Sequence, residues 1–131
     1  MTPNRSQAGR RAPLVPSSGE SSTSSADSVA GNAPFIAGRE PSVGIHDDLY
    51  ATALVFEEGE ERVALVTCDL LFLEAEFVGL VRNEAQQRTG IPGERIGVSC
   101  SHTHYGPALG LESTDPDVRA YLALLKFQLA G

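Results

Sequence analysis

Apolar residues between positions 49 and 68 occur in two short, dense runs. Residues 49–56 and 62–68 are rich in β-branched, aromatic and other apolar side chains, and the acidic, glycine-containing stretch 57–61 separates them. Such runs, bounded by a turn, predict two β-strands joined as a β-hairpin. The second run is almost wholly apolar, which is typical of a strand buried on both faces.

The apolar positions that follow recur at helical spacing, from residue 73 to Thr89. Gly90, followed by Pro92, predicts the end of this helix. Residues 95–101 return as a short strand and complete a strand–helix–strand unit, whose crossover requires parallel strands.

Residues 118–129 again show helical spacing. We expect Asp115 to be the N-cap of this helix and Pro116 its first residue. The sequence therefore predicts an α/β fold, with a mixed sheet formed by a β-hairpin and a β-α-β unit, and a C-terminal helix. The last helix has an apolar face, and in this sequence nothing follows that could pack against it.

The first 34 residues differ in composition from the rest. They contain eight serines, four prolines and few large apolar residues, which predicts a disordered tail over residues 1–34 and a folded part over residues 35–131. Arg10-Arg11 invites an export-signal interpretation, but the apolar stretch after it is short and interrupted by proline, so we expect no signal peptide. No apolar run approaches the roughly 18 residues of a membrane helix, and the sequence leaves the compartment open.

Charge and cysteine content limit the classes of partner and the cysteine chemistry that we expect. Residues 35–131 carry seven Lys or Arg against fifteen Asp or Glu, and this acidic balance argues against nucleic acid as a partner. Cys68 and Cys100 each lie in an apolar, strand-like run, where a free cysteine usually acts as a small buried hydrophobe. A disulfide between them is the less favoured alternative.

Two of the three histidines lie two residues apart, at the predicted carboxyl end of a parallel strand. Ligands of open α/β sheets gather at that edge. In extended backbone His102 and His104 would point to the same side, and neutral imidazoles are preferred zinc ligands. Histidines that are merely solvated or hydrogen-bonded remain an equally good interpretation of this pair.

A catalytic zinc normally takes three protein ligands, so further residues must contribute. Asp69 ends the neighbouring strand and is placed to accept a hydrogen bond from a ligand imidazole, although capping the following segment is an alternative role. His46 precedes the first strand of the hairpin, and the antiparallel pairing would bring it towards the same edge as Asp69.

Several segments, in this order and spacing, resemble the N-terminal part of the neutral/alkaline, non-lysosomal ceramidase family over about residues 36–131. They are Gly-Ile-His-Asp at 44–47 with Leu-Tyr-Ala-Thr-Ala at 49–53, Val-Ala-Leu-Val at 63–66 with Asp69-Leu70, Gly-Ile-Pro at 90–92 with Glu-Arg-Ile at 94–96, and Ser-His-Thr-His at 101–104 with Gly106-Pro107. The last segment is the most specific one.

The resemblance implies a zinc-dependent amidase that hydrolyses the N-acyl amide bond of ceramide to sphingosine and a fatty acid. By position, His102 matches the histidine that ligates zinc, and His104 matches its neighbour in the substrate site. The chain departs from the family at Tyr105, where serine is usual, and at Thr52, where arginine is usual. The family's other ligands, a histidine, a glutamate and a tyrosine, come from far downstream, so a further polypeptide would have to complete the domain.

Two other classes of function stay open. One is a small autonomous metal-binding protein that uses His46, His102, His104 and Asp69, for which stoichiometric zinc on the purified chain would be evidence. The other is a non-enzymatic remnant or interaction module that binds a partner through an apolar surface, for which association without metal would be evidence.

Overall fold

A computed structural model of the chain describes residues 6–14, 47–107 and 109–131. In these ranges four strands form one sheet in the order β1-β2-β3-β4, and their bounds are β1 (Ser6–Pro13), β2 (Tyr50–Glu58), β3 (Glu61–Cys68) and β4 (Ile96–Cys100). β2 pairs antiparallel with β1 and with β3, whereas β3 and β4 are parallel. The sheet is therefore mixed, and the predicted β-hairpin is β2–β3.

The two α-helices of the described ranges are α1 (Ala75–Thr89), between β3 and β4, and α2 (Pro116–Ala130), and a short 3₁₀ helix (Gly93–Arg95) precedes β4. Gly90 ends α1 in the left-handed conformation, with φ 72°, where a residue without a Cβ is favoured. Asp115 is the N-cap of α2, because its carboxylate accepts a hydrogen bond from the Asp117 N–H. The α/β class, the β-α-β unit and the final helix are confirmed, together with the start and end signals that predicted them.

The expectation of disorder does not hold for residues 6–14 of the predicted tail. β1 pairs with β2 along its whole length, from Ser6 opposite Glu57 to Pro13 opposite Tyr50. Leu14 is fully buried, and its N–H donates to the Leu49 carbonyl at 2.7 Å. The sequence did not predict this strand, because the backbone hydrogen bonds of an edge strand come from the neighbouring strand and do not depend on its own side chains. The rest of the predicted tail lies outside the described residues.

The core lies on one face of the sheet, under α1 and α2. Alternate residues of β3 (Ala64, Val66 and Cys68) are buried, whereas Val63 and Leu65 are 42% and 46% exposed. The sequence-based expectation that this strand is buried on both faces is therefore wrong for the described residues, since the helices cover only one face. The main buried cluster is Leu14, Ala51, Val66, Cys68, Leu70, Phe77, Val81, Val118, Leu122, Leu125 and Leu129.

In the described part of the chain, every helix falls short of the length and apolar character that a bilayer-spanning helix requires.

Candidate functional site

The candidate site is built where β3 and β4 end side by side. Cys68 and Cys100 are the last residues of these parallel strands and are partners in register. The pairing continues past both strands, because the Ser101 N–H donates to the Cys68 carbonyl at 2.9 Å and the His102 N–H to the Leu70 carbonyl at 3.0 Å. The carboxyl edge of the sheet thus holds the start of the histidine loop, residues 101–107, against the segment that follows β3.

The imidazole of His102 is oriented by one further bond to the same segment. Its Nδ1 atom lies 2.9 Å from the carbonyl oxygen of Leu71. A carbonyl oxygen can only accept, so Nδ1 must carry the hydrogen. In the neutral ring the lone pair is then on Nε2, the nitrogen free to bind a metal. His102 as a whole is exposed to solvent.

His102 does not have the extended backbone that the sequence-based argument assumed. Its φ is +62°, the left-handed region, which no other non-glycine residue of the described ranges adopts. Histidine is one of the few side chains enriched there. The two imidazoles nevertheless come together: the ring centroids of His102 and His104 are 5.1 Å apart and the ring planes are nearly perpendicular, at 88°. The predicted proximity is present, but a turn and not strand alternation produces it.

The rest of the loop folds back over the end of β3. The Tyr105 N–H donates to Thr103 Oγ1 at 3.3 Å, and Tyr105 itself is 89% exposed. Gly106 packs closely enough that a Cβ on it would lie 3.3 Å from Leu49 Cδ1 and 3.5 Å from the Asp69 carbonyl oxygen. A larger residue at this position would require the Leu49 side chain to shift slightly.

Asp69 lies at this edge, as predicted, and its carboxylate is bonded to the hairpin. Oδ2 accepts the Tyr50 N–H at 3.1 Å, and the Asp69 N–H donates to the Tyr50 carbonyl at 2.9 Å. The acceptor for the His102 ring is instead the Leu71 carbonyl. Sequence reasoning missed Leu71 because a backbone acceptor leaves no signal in residue type. His46, the other candidate, lies outside the described residues.

Comparison with known proteins gives a fold relationship. The structure is similar to that of neutral ceramidase from Pseudomonas aeruginosa. The similarity has a TM-score of 0.64 and 19% sequence identity, and it covers 98% of this chain and 20% of the ceramidase chain. No protein-family model matches the sequence, and no curated protein matches it. The chain thus shares the fold of about one fifth of that ceramidase.

Zinc is the metal that the sequence leads us to expect at this site. His102 fits a zinc ligand, since its ring is fixed by Leu71 and its Nε2 lone pair is free. Within residues 6–14, 47–107 and 109–131, no group of three or more His, Cys, Asp or Glu side chains could hold a metal ion. The described residues therefore offer one histidine with the geometry of a zinc ligand and do not form a complete ligand set.

Two thiols lie at the strand ends that precede the candidate site. Cys68 Sγ is 3.6 Å from Cys100 Sγ and donates to the Ser99 carbonyl at 3.4 Å. Burial, and then the proximity of Cys100, raises the pKa of Cys68 from 9.0 to about 12, so this sulfur remains a thiol at neutral pH. Both cysteines are free, as the sequence-based interpretation favoured.

Proposed function

We propose that this chain supplies the N-terminal part of a zinc-dependent amidohydrolase, which hydrolyses the N-acyl amide bond of ceramide-like lipids to a sphingoid base and a fatty acid. The observation that carries the proposal is the His102 imidazole, held by the Leu71 carbonyl with Nε2 free, at the carboxyl edge of a sheet with a ceramidase-like fold. Further polypeptide would supply the other ligands and close the pocket.

In this proposal, bound Zn²⁺ supplies a Lewis acid that polarises the amide carbonyl and lowers the pKa of water. The role of His102 is to ligate the metal through Nε2, and the Nδ1–H···O bond to Leu71 keeps the ring in the ligating tautomer and orientation. That bond also makes the imidazole a better electron donor, as partners of metal-bound histidines generally do.

His104 is proposed to position the scissile amide or to stabilise the charge that develops on it. Its ring stands edge-on to the His102 ring, with 5.1 Å between centroids, so it lies within reach of a substrate held beside His102. Hydrogen-bond donors aimed at developing charge typically contribute about 10²- to 10³-fold in rate.

An acyl chain has apolar surface available near this edge. Phe72 follows Leu71 directly in the chain and is 40% exposed, and it lines a shallow depression with Leu109 and Leu111. Burying hydrocarbon against such side chains stabilises a complex by about 25 cal/mol per Å² of apolar surface. These exposed apolar side chains are the observation that supports a lipid-like substrate.

A non-enzymatic interaction module is the second candidate. The sheet face opposite the helices exposes Phe56, Val63 and Leu65, and an exposed apolar surface marks an interaction site when it is extensive. Association with a partner in the presence of a metal chelator, with no hydrolysis in any assembly, would favour this candidate.

The proposal is tested by a chimera. Residues 1–131 are joined to the part of the Pseudomonas ceramidase chain that follows the superposed segment, and ceramide hydrolysis is measured after metal removal and after zinc is restored. We expect hydrolysis that is lost with a chelator and regained with Zn²⁺. Gln87→Ala, at an exposed position on α1, is the control and should match the unsubstituted chimera. A soluble, cooperatively folded chimera that binds zinc and hydrolyses no N-acylated lipid would contradict the proposal.

A further inference from the structure

Two thiols face each other at the strand ends where the histidine loop begins. Cys68 ends β3 and Cys100 ends β4, and the two residues are register partners in parallel strands. Neighbouring strands lie about 4.8 Å apart, within the range of roughly 4.4–6.8 Å between Cα atoms that a disulfide spans. Their Sγ atoms are 3.6 Å apart, so rotation of the side chains is sufficient to bring the sulfurs into bonding distance.

The two sulfurs differ in accessibility. Cys68 is 1% exposed and belongs to the main core cluster, whereas Cys100 is only partly buried at its margin. A small oxidant therefore reaches Cys100 first. Cys68 is shielded from solvent but lies in contact with Cys100, which suits it to react second, within the protein.

We propose that Cys68 and Cys100 are a reversible disulfide site, which a low-molecular-weight disulfide such as oxidised glutathione converts from two thiols to one cross-link. The Cys100 sulfur attacks one sulfur of the oxidant, which breaks the oxidant's S–S bond, releases one small thiol and leaves a mixed disulfide on Cys100. Cys68 then loses its proton, and its thiolate attacks the Cys100 sulfur and displaces the second small thiolate, which takes up that proton. The protein loses two electrons and two protons, and both are recovered in the two small thiols.

The cross-link would stiffen the start of the histidine loop. The Cys68 carbonyl already accepts the Ser101 N–H, and the Leu70 carbonyl accepts the His102 N–H, so the bonded segments begin at the two cysteines. A covalent bond at this point restricts their separation and slows opening of both hydrogen bonds. This stiffening of the loop does not depend on the proposed amidohydrolase activity.

The test uses the full 131-residue chain, incubated with oxidised glutathione at pH 9, where the Cys68 thiolate is more abundant than at neutral pH, and digested with trypsin without reduction. Cleavage after Arg62, Arg82, Arg95 and Arg119 releases residues 63–82 and 96–119, each with one cysteine. We expect a linked peptide pair, lighter by two hydrogen atoms than the two separate peptides together, from protein that remains monomeric on a non-reducing gel. Dithiothreitol should restore both free peptides.

Cys100→Ser is the matched control, because it removes the accessible thiol and leaves the buried one in place. It should give no linked peptides. In a hydrogen-exchange comparison, oxidation should slow exchange of the Ser101 and His102 amides several-fold in the unsubstituted protein and leave Cys100→Ser unchanged. Three results would overturn the proposal: a glutathione adduct that persists on Cys100 with Cys68 free, cross-links only between chains, or two unreacted thiols in folded protein under conditions that oxidise the urea-unfolded chain.

Discussion

The Nδ1 atom of His102 donates its hydrogen to the carbonyl oxygen of Leu71, over 2.9 Å. Leu71 lies three residues beyond β3 and His102 two residues beyond β4, so the bond joins the two segments that leave the sheet at its carboxyl edge. It gives the imidazole a defined tautomer and a fixed direction through a backbone acceptor. The candidate metal-binding nitrogen is therefore positioned by the fold itself.

The tautomer of His102 is the first prediction. At a pH where the ring is neutral, Nδ1 should carry the hydrogen and Nε2 the lone pair, because the Leu71 carbonyl cannot donate. The ¹⁵N chemical shifts of the two ring nitrogens, measured in uniformly labelled protein, distinguish the tautomers. A ring that is mainly protonated on Nε2 would show that the bond to Leu71 is not formed in solution.

The left-handed backbone of His102 leads to a stability prediction. His102→Ala and His102→Gly both lose the ring's hydrogen bond, but only alanine suffers the strain of φ +62°. The glycine variant should therefore be as stable as the alanine variant or more stable, by up to about 1 kcal/mol, in urea unfolding. The same pair at His104, which does not have a positive φ, is the control and should show alanine as the more stable variant. Alanine being clearly more stable than glycine at residue 102 would contradict the loop conformation.

The raised pKa of Tyr121 leads to a prediction of how the free energy of unfolding depends on pH. Burial, and then the nearby Cys68, raises the pKa of Tyr121 from 10.0 to about 12. Above pH 10 the unfolded chain loses this proton while the folded chain keeps it, so the free energy of unfolding falls as the pH rises towards 12. Cys68, with its pKa raised from 9.0 to about 12, contributes a fall in the same direction from about pH 9.

Tyr121→Phe should remove the part of this fall in the free energy of unfolding that comes from the tyrosine. Its hydroxyl is buried with no hydrogen-bond partner among the described residues, so the substitution should also stabilise the protein by about 1 kcal/mol at pH 7. Tyr105→Phe, at a position that is 89% exposed, is the control and should change neither quantity. Urea unfolding at pH 7 and pH 11 measures both effects. Destabilisation by Tyr121→Phe at pH 7 would mean that the hydroxyl has a bonding partner.

Most of the fold could be predicted from local patterns. The turn at 57–61 separates two apolar runs, Gly90 ends α1 and Asp115 caps α2, and each of these signals depends only on nearby residues. β1 could not be predicted, because its order comes from pairing with β2, about forty residues further along the chain. The exposure of Val63 and Leu65 could not be predicted either, since it depends on which face of the sheet the helices cover.

The candidate site was partly predictable. A parallel strand ending just before His102 places that residue at the edge where ligands bind, and the structure brings His104 beside it. Residue types alone favoured Asp69 as the partner of a ligand imidazole. The partner that the structure gives to His102, the Leu71 carbonyl, depends on the path of the chain after β3, which no side-chain pattern encodes.

The isolated chain should bind zinc only weakly. One or two imidazoles cannot replace the coordination shell of Zn²⁺, and the described residues bring no third His, Cys, Asp or Glu close enough to complete a site. Calorimetric titration of the purified chain with Zn²⁺ should show no tight binding. Tight one-to-one binding that is lost in His102→Asn and weakened in Asp69→Ala would instead favour an autonomous metal-binding protein.

The most direct test of the central claim is the zinc content of the chimera with each histidine replaced in turn. His102→Asn keeps a residue that tolerates a positive φ but removes Nε2, so the chimera should lose both its bound zinc and its ceramide hydrolysis. His104→Asn should keep most of the zinc and lower turnover by about 10²- to 10³-fold, since a donor to developing charge is lost and a ligand is not. Zinc retained at full stoichiometry in His102→Asn, or lost in His104→Asn alone, would contradict the assignment of His102 as the metal ligand.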